Sequence, residues 1–432
     1  MKIFGDDGFR DKYDHGLMSR DFLLNFFYSL NIFLYEKKIS TIYIAYDTRF
    51  SAKPILQIIL KKLKNLRNIF IIDRPVTTPY LHHLSKKTNS FSIMITASHF
   101  KWNYNGFKFF YKGEKISKKF EDDILSYLKK INQLNIKKIN QLNIKKINIK
   151  RIYSKMYVEY LNKKFVNIPK KRIIFDLANG GACSFKNQLK IFKKYKIINH
   201  TFNGKNINKN SGSNYIKKTL SKKISFDYLI SFDGDGDRVI IAKKKYGVIE
   251  TEKLALVFAL YLFKKNKKKY NIVGTEITNP WFLNKLRKIG IKFTRSKVGD
   301  RNVINKQTQN KSIFGFETSG HFSFKKSMDG IFTAILFLQI LKKKPNLINE
   351  ILNQKIDYNQ IILKVSPNRY NYISKHLKKL KEVSVIKRKS IWENIYKFHI
   401  FYKKNSIKTV RKFFESNYQK AIKSKFHSQL EV

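Results

Sequence analysis

This 432-residue sequence contains very little cysteine and no long apolar runs. Cys183 is the single cysteine, so no disulfide can form within the chain, and a reducing compartment suits it best. The longest apolar runs, FLLNFFYSLNIFLY and LALVFALYLF, fall short of the roughly 20 residues that span a bilayer. The opening residues MKIFGDDGFR also lack the apolar segment of a signal peptide. We therefore expect a cytoplasmic protein that does not enter a membrane.

Acidic residues are scarce as well, because 30 of them face 89 lysines and arginines and give a formal net charge of +59. Such a charge commonly indicates nucleic-acid binding. Here, however, Lys, Asn, Ile, Phe and Tyr are abundant together, and all five can have A/T-rich codons. The lysines are also spread along the chain without the aromatic-basic patterning of proteins that bind single strands. We expect compositional drift and no nucleic-acid partner; the oligomeric state is not indicated.

Short β-rich runs alternate with longer amphipathic segments along most of the chain. Segments such as KPILQIILKKLKNL (53–66) and EKLALVFALYLFKKN (252–266) have apolar residues at helical spacing. The alternation predicts α/β layers several times over, and the tail predicts a small strand-strand-helix module that ends with a helix over 406–426. The strand candidates are TIYIAYD, NIFIID, SIMIT, KRIIFDL, YLISFDG, RVIIAKK and NIVGTEI, with SVIKRKS and NIYKFHIFYKK in the tail.

An eight-residue repeat interrupts this pattern. KKINQLNI occurs at 129–136 and again at 137–144, a period that fits neither a heptad nor a solenoid repeat. We interpret it as slippage within a tolerant linker and place a domain boundary there.

Three aspartates in SFDGDGDR give the strongest chemical signal. Asp233, Asp235 and Asp237 alternate with glycines directly after an apolar strand, and such close carboxylates repel one another unless a cation lies among them. Oxygen ligands of this kind favour Mg²⁺ or Ca²⁺. An EF-hand is excluded, because its sixth and twelfth positions are occupied by Arg238 and Lys244 instead of Gly and Glu. We predict a metal site.

Ser98 and His99 end the strand candidate SIMIT. A turn or a buried histidine would explain them without any chemistry, and a nucleophile or phosphate carrier would explain them with it. Because a carboxylate-bound Mg²⁺ usually keeps a position for a phosphate oxygen, a phosphoserine at Ser98 would complete the metal site.

Several turns place an arginine beside an acid, and one loop offers further polar groups. Arginine suits bidentate phosphate binding, although each such pair alone is more often structural. In GFETSGHF, the donors and acceptors could hold neighbouring sugar hydroxyls. The residues concerned are Arg10 in GDDGFR, Asp47 and Arg49 in YDTRF, Lys297, Asp300 and Arg301 in KVGDR, and Glu317, Ser319 and His321 in GFETSGHF.

In chain order, the motifs FGDDGFR, DTR, TASH, NGFKFF, DLANG, FDGDGDR, KVGDR, ETSGH and RKS resemble those of the α-D-phosphohexomutases over essentially the whole chain. The resemblance implies an isomerase that exchanges sugar 1- and 6-phosphates through a phosphoserine and Mg²⁺. It also implies four domains around a central cleft: three α/β domains with mixed sheets at 1–150, 151–248 and 249–357, and a smaller α+β domain at 358–432.

The resemblance also implies a role for each matching residue. Ser98 would carry the phosphoryl group, and Asp233, Asp235 and Asp237 would bind Mg²⁺ together with its phosphate. Arg10, His99 and Lys108 would surround the transfer, and any of the three could be the general base. The residues expected to bind the sugar phosphate are Arg238, Lys297, Asp300, Arg301, Glu317, Ser319, His321, Arg388, Ser390, Glu393 and Lys397. A hexosamine bisphosphate or another phosphoryl donor would first phosphorylate Ser98.

The chain departs from the family in two loops. Phe100 and Lys101 stand where the family has Asn-Pro after its Ser-His. In RKSIWEN, Ile391 and Trp392 replace a Gly and a Thr of the C-terminal phosphate loop, and Lys397 replaces an Arg. Backbone freedom and a hydroxyl donor are lost, so we expect slower or weaker turnover, not inactivity.

Three functions are compatible with the motifs. FGDDGFR, KVGDR and ETSGH are most similar to bacterial members acting on glucosamine phosphates, on the route to UDP-N-acetylglucosamine and the cell wall. Members that act on mannose or glucose phosphates are the alternative. A degenerate relative that binds nucleic acid is a distant third, which the complete TASH and FDGDGDR motifs oppose.

Overall fold

The computed structural model describes residues 3–133, 147–165, 169–222, 224–263, 270–324, 326–377, 380, 383–389, 395–408 and 410–411. These residues form four β-sheets that follow one another along the chain. Three are flanked by several helices and one is small, as the sequence predicts. None of the helices in the described part combines the length and apolar character that crossing a membrane requires.

The first unit contains a seven-stranded sheet. Its strands are β1 (Phe9–Lys12), β2 (Thr41–Tyr46), β3 (Asn68–Ile72), β4 (Phe91–Ile95), β5 (Tyr104–Tyr111), β6 (Glu114–Lys115) and β7 (Asn148–Ile152). Its helices are α1 (Arg20–Glu36), α2 (Ala52–Lys62), α3 (Thr78–Thr88) and α4 (Lys118–Gln133). The strand order is β1-β5-β4-β2-β3-β7, with β6 paired to β5. Strands β2, β3, β4 and β7 pair in parallel, whereas β5 runs antiparallel to β1 and β4.

Local sequence explains where helix α3 begins and ends. Thr77 caps its first turn by accepting a hydrogen bond from the backbone N–H of Tyr80, and Pro79 lies in that turn, where a missing N–H costs nothing. At the other end Asn89 adopts a left-handed backbone with φ +49°, which terminates the helix. Helix α3 thereby connects β3 to β4.

The second and third units each have a smaller mixed sheet. The second comprises α5 (Met156–Lys164), β8 (Ile173–Asp176), α6 (Lys190–Lys194), β9 (Lys196–Ile198), α7 (Ile216–Leu220), β10 (Tyr228–Phe232), β11 (Val239–Lys243) and β12 (Gly247–Val248), in the order β12-β11-β10-β8-β9. The third comprises α8 (Thr251–Phe263), β13 (Asn271–Thr275), α9 (Pro280–Lys288), β14 (Lys292–Ser296), α10 (Asp300–Gln309), β15 (Phe314–Phe316), β16 (Phe322–Ser323), α11 (Gly330–Lys343) and α12 (Pro345–Asn353), in the order β14-β13-β15-β16.

The fourth unit is an antiparallel sheet, and one complete α-helix lies within its described residues. It contains β17 (Tyr358–Val365), α13 (Tyr370–Leu377), β18 (Val383–Lys389) and β19 (Tyr396–Lys403), with β19 in the centre. The helix expected over 406–426 lies mostly outside the described residues. This unit has its own buried apolar cluster, which includes Phe398 and Ile400. A much larger cluster joins the first three units, from Ala45 to Leu352.

The repeat stands where the first unit is completed. Helix α4 ends inside its first copy, and residues 134–146 lie outside the described part of the chain. Strand β7 follows and pairs with β3 over Asn148–Ile152. A boundary at residue 150 therefore falls within a strand of the first sheet, and we propose a boundary just after residue 152 instead.

Candidate active site

The serine loop follows the carboxyl end of β4, an inner strand of the first sheet. Ser98 has a left-handed backbone with φ +51°, a conformation that costs a non-glycine residue about 1 kcal/mol or more. Its N–H donates to Thr96 Oγ1 at 2.9 Å. The side chain is buried, and Ser98 Oγ donates to Asp233 Oδ2 at 2.8 Å. The loop thus brings Ser98 directly to the aspartate loop, 135 residues away in sequence.

Arg49 maintains this strained conformation. Its guanidinium donates to the carbonyl oxygens of Ser98 and Phe100 at 2.9 Å each and of Tyr104 at 2.9 Å, and also to that of Lys101. Asp47 fixes the arginine through a fully buried ion pair at 3.0 Å. Arg49 is therefore a positioning residue that clamps the serine loop, and the phosphate role considered from the sequence is not supported by these contacts.

The aspartate loop follows β10 and lies against the serine loop. Asp233, Asp235 and Asp237 are buried, and one carboxylate oxygen of each lies within 4.8 Å of the others. Two glycines make this approach possible. A Cβ on Gly234 would lie 2.6 Å from the carbonyl oxygen of Ser98. Gly236 has φ +71°, and a Cβ added there would lie 2.6 Å from Thr77 Cγ2.

The aspartate loop has the properties of a cation site. Burial, and then the charges of Asp237 and Asp235, raise the pKa of Asp233 well above its usual value, so three charged carboxylates are not stable there without a compensating charge. Among the described residues, Asp235 Oδ1 is buried without a hydrogen-bond partner. Hard oxygen donors with one unsatisfied lone pair fit Mg²⁺, as the sequence predicts.

Lys108 contributes a fixed positive charge beside these aspartates. It lies on β5, and its Nζ is 2.9 Å from Asp235 Oδ2, 2.6 Å from Asp237 Oδ2 and 2.8 Å from Asp7 Oδ2. Burial lowers its pKa, but Asp235, Asp237 and Asp7 outweigh burial and raise the pKa well above the usual value. Lys108 is therefore protonated in this arrangement.

His99 and Arg10 border the serine on the other side. His99 Nδ1 is 3.4 Å from Ser98 Oγ, and burial, followed by the charges of Arg238 and Arg10, lowers the pKa of His99 to about 2. The imidazole is thus neutral. The Arg10 guanidinium lies over the ring of Phe100, 5.1 Å from its centroid, so the unusual Phe100 supports one of the expected catalytic cations.

The ETSGH loop contacts the aspartate loop through His321. Its Nε2 is 3.2 Å from Asp237 Oδ1 and its Nδ1 is 3.0 Å from Glu317 Oε2. Burial opposes protonation, but Asp237 outweighs it, and the pKa of His321 is raised to about 9. Ser319 Oγ lies 3.0 Å from His321 Nδ1. The structure thus brings Glu317, Ser319 and His321 together at the aspartate loop, with Arg238 next to His321.

The charged side chains of the KVGDR motif contact different parts of the protein. Asp300 pairs with Lys115 of β6, and Arg301 pairs with Glu121 of α4. Both contacts join the third unit to the first, and one carboxylate oxygen of Asp300 also lies within 4.8 Å of Asp7 and Asp237, at the border of the aspartate loop. Lys297 is exposed and is the member of this motif that remains accessible to a substrate.

The C-terminal candidates lie on the fourth sheet or beyond the described residues. Arg388 on β18 and Lys397 on β19 are opposite each other in the register, and both are half-buried. Ser390, Ile391, Trp392 and Glu393 lie outside the described residues.

Four residues at the site were missed by the sequence analysis. Asp7 contacts Lys108, and Lys115 bridges Asp7 and Asp300. Thr78 Oγ1 donates to Asp235 Oδ2 at 2.5 Å, and Asn208 Nδ2 donates to the Ser98 carbonyl at 2.8 Å. A second acid beside Asp6 in GDDGFR was a usable signal for Asp7. The others meet the site through contacts distant in sequence and carry no local motif.

Comparisons with known proteins agree with this geometry. Residues 1–135 and 250–358 match the models for phosphoglucomutase/phosphomannomutase, alpha/beta/alpha domains I and III. A phosphoglucosamine mutase of Buchnera aphidicola is 31% identical over 381 residues, which cover 84% of each chain.

Two solved structures share the fold. A phosphoglucomutase/phosphomannomutase family protein from Burkholderia thailandensis aligns with a TM-score of 0.77 at 18% identity, over 96% of this chain and 97% of that one. The Aspergillus fumigatus N-acetylphosphoglucosamine mutase, solved in complex with GlcNAc-6P and magnesium, aligns with a TM-score of 0.63 at 16% identity, over 95% and 96% of the two chains.

Proposed function

The chain belongs to the phosphoglucomutase/phosphomannomutase family, and from this premise we propose that it interconverts glucosamine 6-phosphate and glucosamine 1-phosphate through a phosphoserine at position 98. One observation carries the proposal: Ser98 Oγ lies 2.8 Å from Asp233 of a buried three-aspartate cluster. A phosphoryl group on that oxygen would lie at the cluster. The choice of sugar rests on the Buchnera relative, which is named phosphoglucosamine mutase.

The two half-reactions are phosphoryl transfers in opposite directions. In the first, the bond between Ser98 Oγ and phosphorus breaks, a bond forms between phosphorus and the oxygen of the free sugar hydroxyl, and the proton that this hydroxyl loses is balanced by one that Ser98 Oγ gains. The resulting bisphosphate turns around, and its other phosphate returns to Ser98. Mg²⁺, held by Asp233, Asp235 and Asp237, would supply positive charge to the phosphate oxygens.

The residues around Ser98 stabilise charge more readily than they remove protons. Lys108 is held protonated by Asp235, Asp237 and Asp7, and neutral His99, with a pKa of about 2, is a weak proton acceptor. An efficient general base has a pKa near the operating pH, which neither provides in this arrangement. Phosphoryl transfer through a loose transition state needs little base assistance, and positioned cations carry much of the catalysis.

Further residues would hold the sugar phosphate. Glu317 and Ser319 would contact sugar hydroxyls, and Lys297 would reach the substrate from the third unit. Arg388, Ser390, Glu393 and Lys397 would bind the phosphate that is not being transferred. A hexosamine bisphosphate would load Ser98 before the first cycle. Closure of the fourth unit would keep water from the phosphoserine.

Intact-mass analysis tests the carrier. We expect the protein to gain the mass of one phosphoryl group after incubation with glucose 1,6-bisphosphate and Mg²⁺. Ser98→Ala should not gain it, whereas Ser126→Ala, which alters an exposed serine of α4, should. If no phosphorylated form arises in the unaltered protein, the proposed mechanism is wrong.

Steady-state kinetics tests the sugar. We expect kcat/KM for glucosamine 1-phosphate to exceed that for glucose 1-phosphate and mannose 1-phosphate by about tenfold or more, since a site that hydrogen-bonds a polar substituent discriminates against its replacement. A preference for either of the other two would assign the protein to the phosphomannomutase/phosphoglucomutase activity instead.

A further inference from the structure

A cleft of about 390 Å³ lies behind the aspartate loop, away from Ser98. Helix α3 of the first unit, α5 of the second and the start of α11 of the third form its walls. None of the residues that line it belongs to the candidate active site described above. Its volume is in the range of sites that hold small organic ligands.

One wall of the cleft is a continuous aromatic surface. The ring of Tyr160 stacks on that of Phe332, with centroids 6.1 Å apart and planes inclined by 8°. The ring of His83 also lies near that of Tyr160, with centroids 5.2 Å apart and planes inclined by 25°. The three rings come from the three units that meet here. A flat wall of this kind favours a planar aromatic ring on the ligand.

The mouth of the cleft is positively charged. Lys86 and Lys87, in the last turn of α3, line it and are exposed. The acid that faces them, Asp329, already accepts hydrogen bonds from Tyr157 Oη at 3.0 and 3.2 Å and from the Phe332 N–H at 2.9 Å. Its charge is therefore partly compensated within the protein, and an anionic group is the better match for the two lysines.

The cleft also contains an unused polar atom. His82 lines it, and His82 Nε2 is buried without a hydrogen-bond partner among the described residues. Burial lowers the pKa of His82 to about 3, with Lys86 and Lys115 adding to the effect, so the ring is neutral. A buried neutral imidazole nitrogen without a partner costs free energy, which a bound ligand would recover.

Two of the three helices that form the walls, α3 and α11, hold the aspartate loop directly. At the start of α3, the Thr78 N–H donates to the Asp235 carbonyl at 2.8 Å. At the start of α11, the Gly330 N–H donates to the Gly236 carbonyl at 3.1 Å. A ligand that changes the separation of α3 and α11 would therefore act on the backbone of the metal loop at two points.

We propose that this cleft is a second ligand site, for a small molecule with a planar aromatic ring and an anionic group, and that its occupancy alters the affinity of the aspartate loop for its cation. The ring packs on the Tyr160–Phe332 wall and the anion lies at Lys86 and Lys87. The ligand site rests on the contacts of the cleft alone, whereas the coupling rests on the cation site of the proposed function.

Calorimetric titration tests the site with defined probes. AMP and 8-anilinonaphthalene-1-sulfonate carry both the ring and the anion, and ribose 5-phosphate carries the anion only. We expect one equivalent of each aromatic probe to bind, in the absence and in the presence of glucose 1,6-bisphosphate, and ribose 5-phosphate to bind at least about tenfold more weakly, since loss of a buried ring removes more than about 1.4 kcal/mol.

Paired variants identify the cleft as the place of binding. Lys86→Ala/Lys87→Ala and Phe332→Leu should each weaken AMP binding by about tenfold, whereas Lys163→Ala/Lys164→Ala, two exposed lysines in the last turn of α5, should leave it unchanged. Circular dichroism will show that the variants are folded. Equal binding by all variants, or failure of both aromatic probes to bind the unaltered protein, would overturn the site.

Magnesium titration tests the coupling. The Kd for Mg²⁺ should change by about fivefold or more when AMP is saturating, and reciprocity requires the same change in the Kd for AMP when Mg²⁺ is saturating. In Lys86→Ala/Lys87→Ala the same change in Mg²⁺ affinity should require about tenfold more AMP. Identical Mg²⁺ affinities with and without bound AMP would overturn the coupling.

Discussion

His321 and His399 are both buried, yet their surroundings drive their charges in opposite directions. At the active site, Asp237 and Glu317 outweigh the effect of burial and raise the pKa of His321 to about 9. On the fourth sheet, burial and then the charges of Arg388 and Lys397 lower the pKa of His399 to about 4. The difference reflects where the chain keeps its few acids.

The active site concentrates acidic residues at one point, whereas the fourth unit has four glutamates spread along residues 358–432. The residues that form or border the aspartate loop include five acids: Asp7, Asp233, Asp235, Asp237 and Glu317. Residues 358–432 contain no aspartate. A metal site requires several ligands at fixed positions. A surface that attracts a phosphate requires only positive charge nearby. We infer that the altered loop of the fourth unit affects substrate affinity more than the chemical step.

Removing one metal ligand should give the largest effect. Asp235→Asn leaves the shape of the loop but removes a carboxylate from the three-acid cluster, so we expect kcat to fall by about 10²–10³ and Mg²⁺ affinity to fall in parallel. Mutase assays and magnesium titration measure both. The control Asp227→Asn alters a half-buried acid just before β10 that pairs with Arg172 and should change neither. Near-normal kcat in Asp235→Asn would contradict the assignment.

Much of the metal site was predictable, because its information is local. The Asp-Gly alternation, the strand before it and the Ser-His pair after SIMIT are each contained within ten residues of sequence. The strands themselves were found at 41–46, 68–72, 91–95 and 228–232, each within a residue or two of the run that predicted it. The role proposed for Ser98 required the family resemblance as well, because a serine at a strand end has many possible roles.

What could not be predicted depends on contacts between distant residues. The sequence indicated a structural ion pair for Arg49 more than a phosphate contact, and the pair with Asp47 forms, but nothing local showed that the guanidinium clamps carbonyls about 50 residues away in sequence. Asp300 and Arg301 looked like substrate ligands, but they pair with Lys115 and Glu121, 185 and 180 residues away. In each case the local motif was correct and only the packing of units decided which partner the side chain met.

The buried Arg49–Asp47 pair should matter far more than a similar pair at the surface. Arg49→Lys keeps the charge but cannot reach all four carbonyls, so we expect a loss of about 3 kcal/mol in the free energy of unfolding and reduced phosphorylation of Ser98. Urea denaturation and intact-mass analysis measure these effects. Arg74→Lys alters an exposed pair with Asp73 at 2.8 Å and should cost less than about 1 kcal/mol. Equal losses in the two variants would refute the clamp.

Repairing the C-terminal loop should have a moderate effect on binding. Ile391→Gly/Trp392→Thr restores the backbone freedom and hydroxyl typical of the family, so we expect KM for the sugar phosphate to fall by up to about tenfold with little change in kcat. Ile362→Thr, at an exposed position of β17, provides a control in the same unit. If kcat rises more than KM falls, the fourth unit takes part in the chemical step, and the contrast drawn above would be wrong.

The smallest effect should come from titrating His399. Its Nδ1 lies 3.0 Å from the Gln360 amide nitrogen, which donates to the neutral ring. Because its pKa of about 4 is below the roughly 6.5 of an unfolded histidine, the unfolded state takes up the proton first as the pH falls. The stability of the fourth unit should therefore be highest above pH 6.5 and decline between pH 6.5 and 4. Hydrogen exchange in peptides from 358–408 measures it; His399→Gln should flatten this decline, and His376→Gln, at a half-buried position of α13, should not. An unchanged slope in His399→Gln would show that other groups govern the acid sensitivity of this unit.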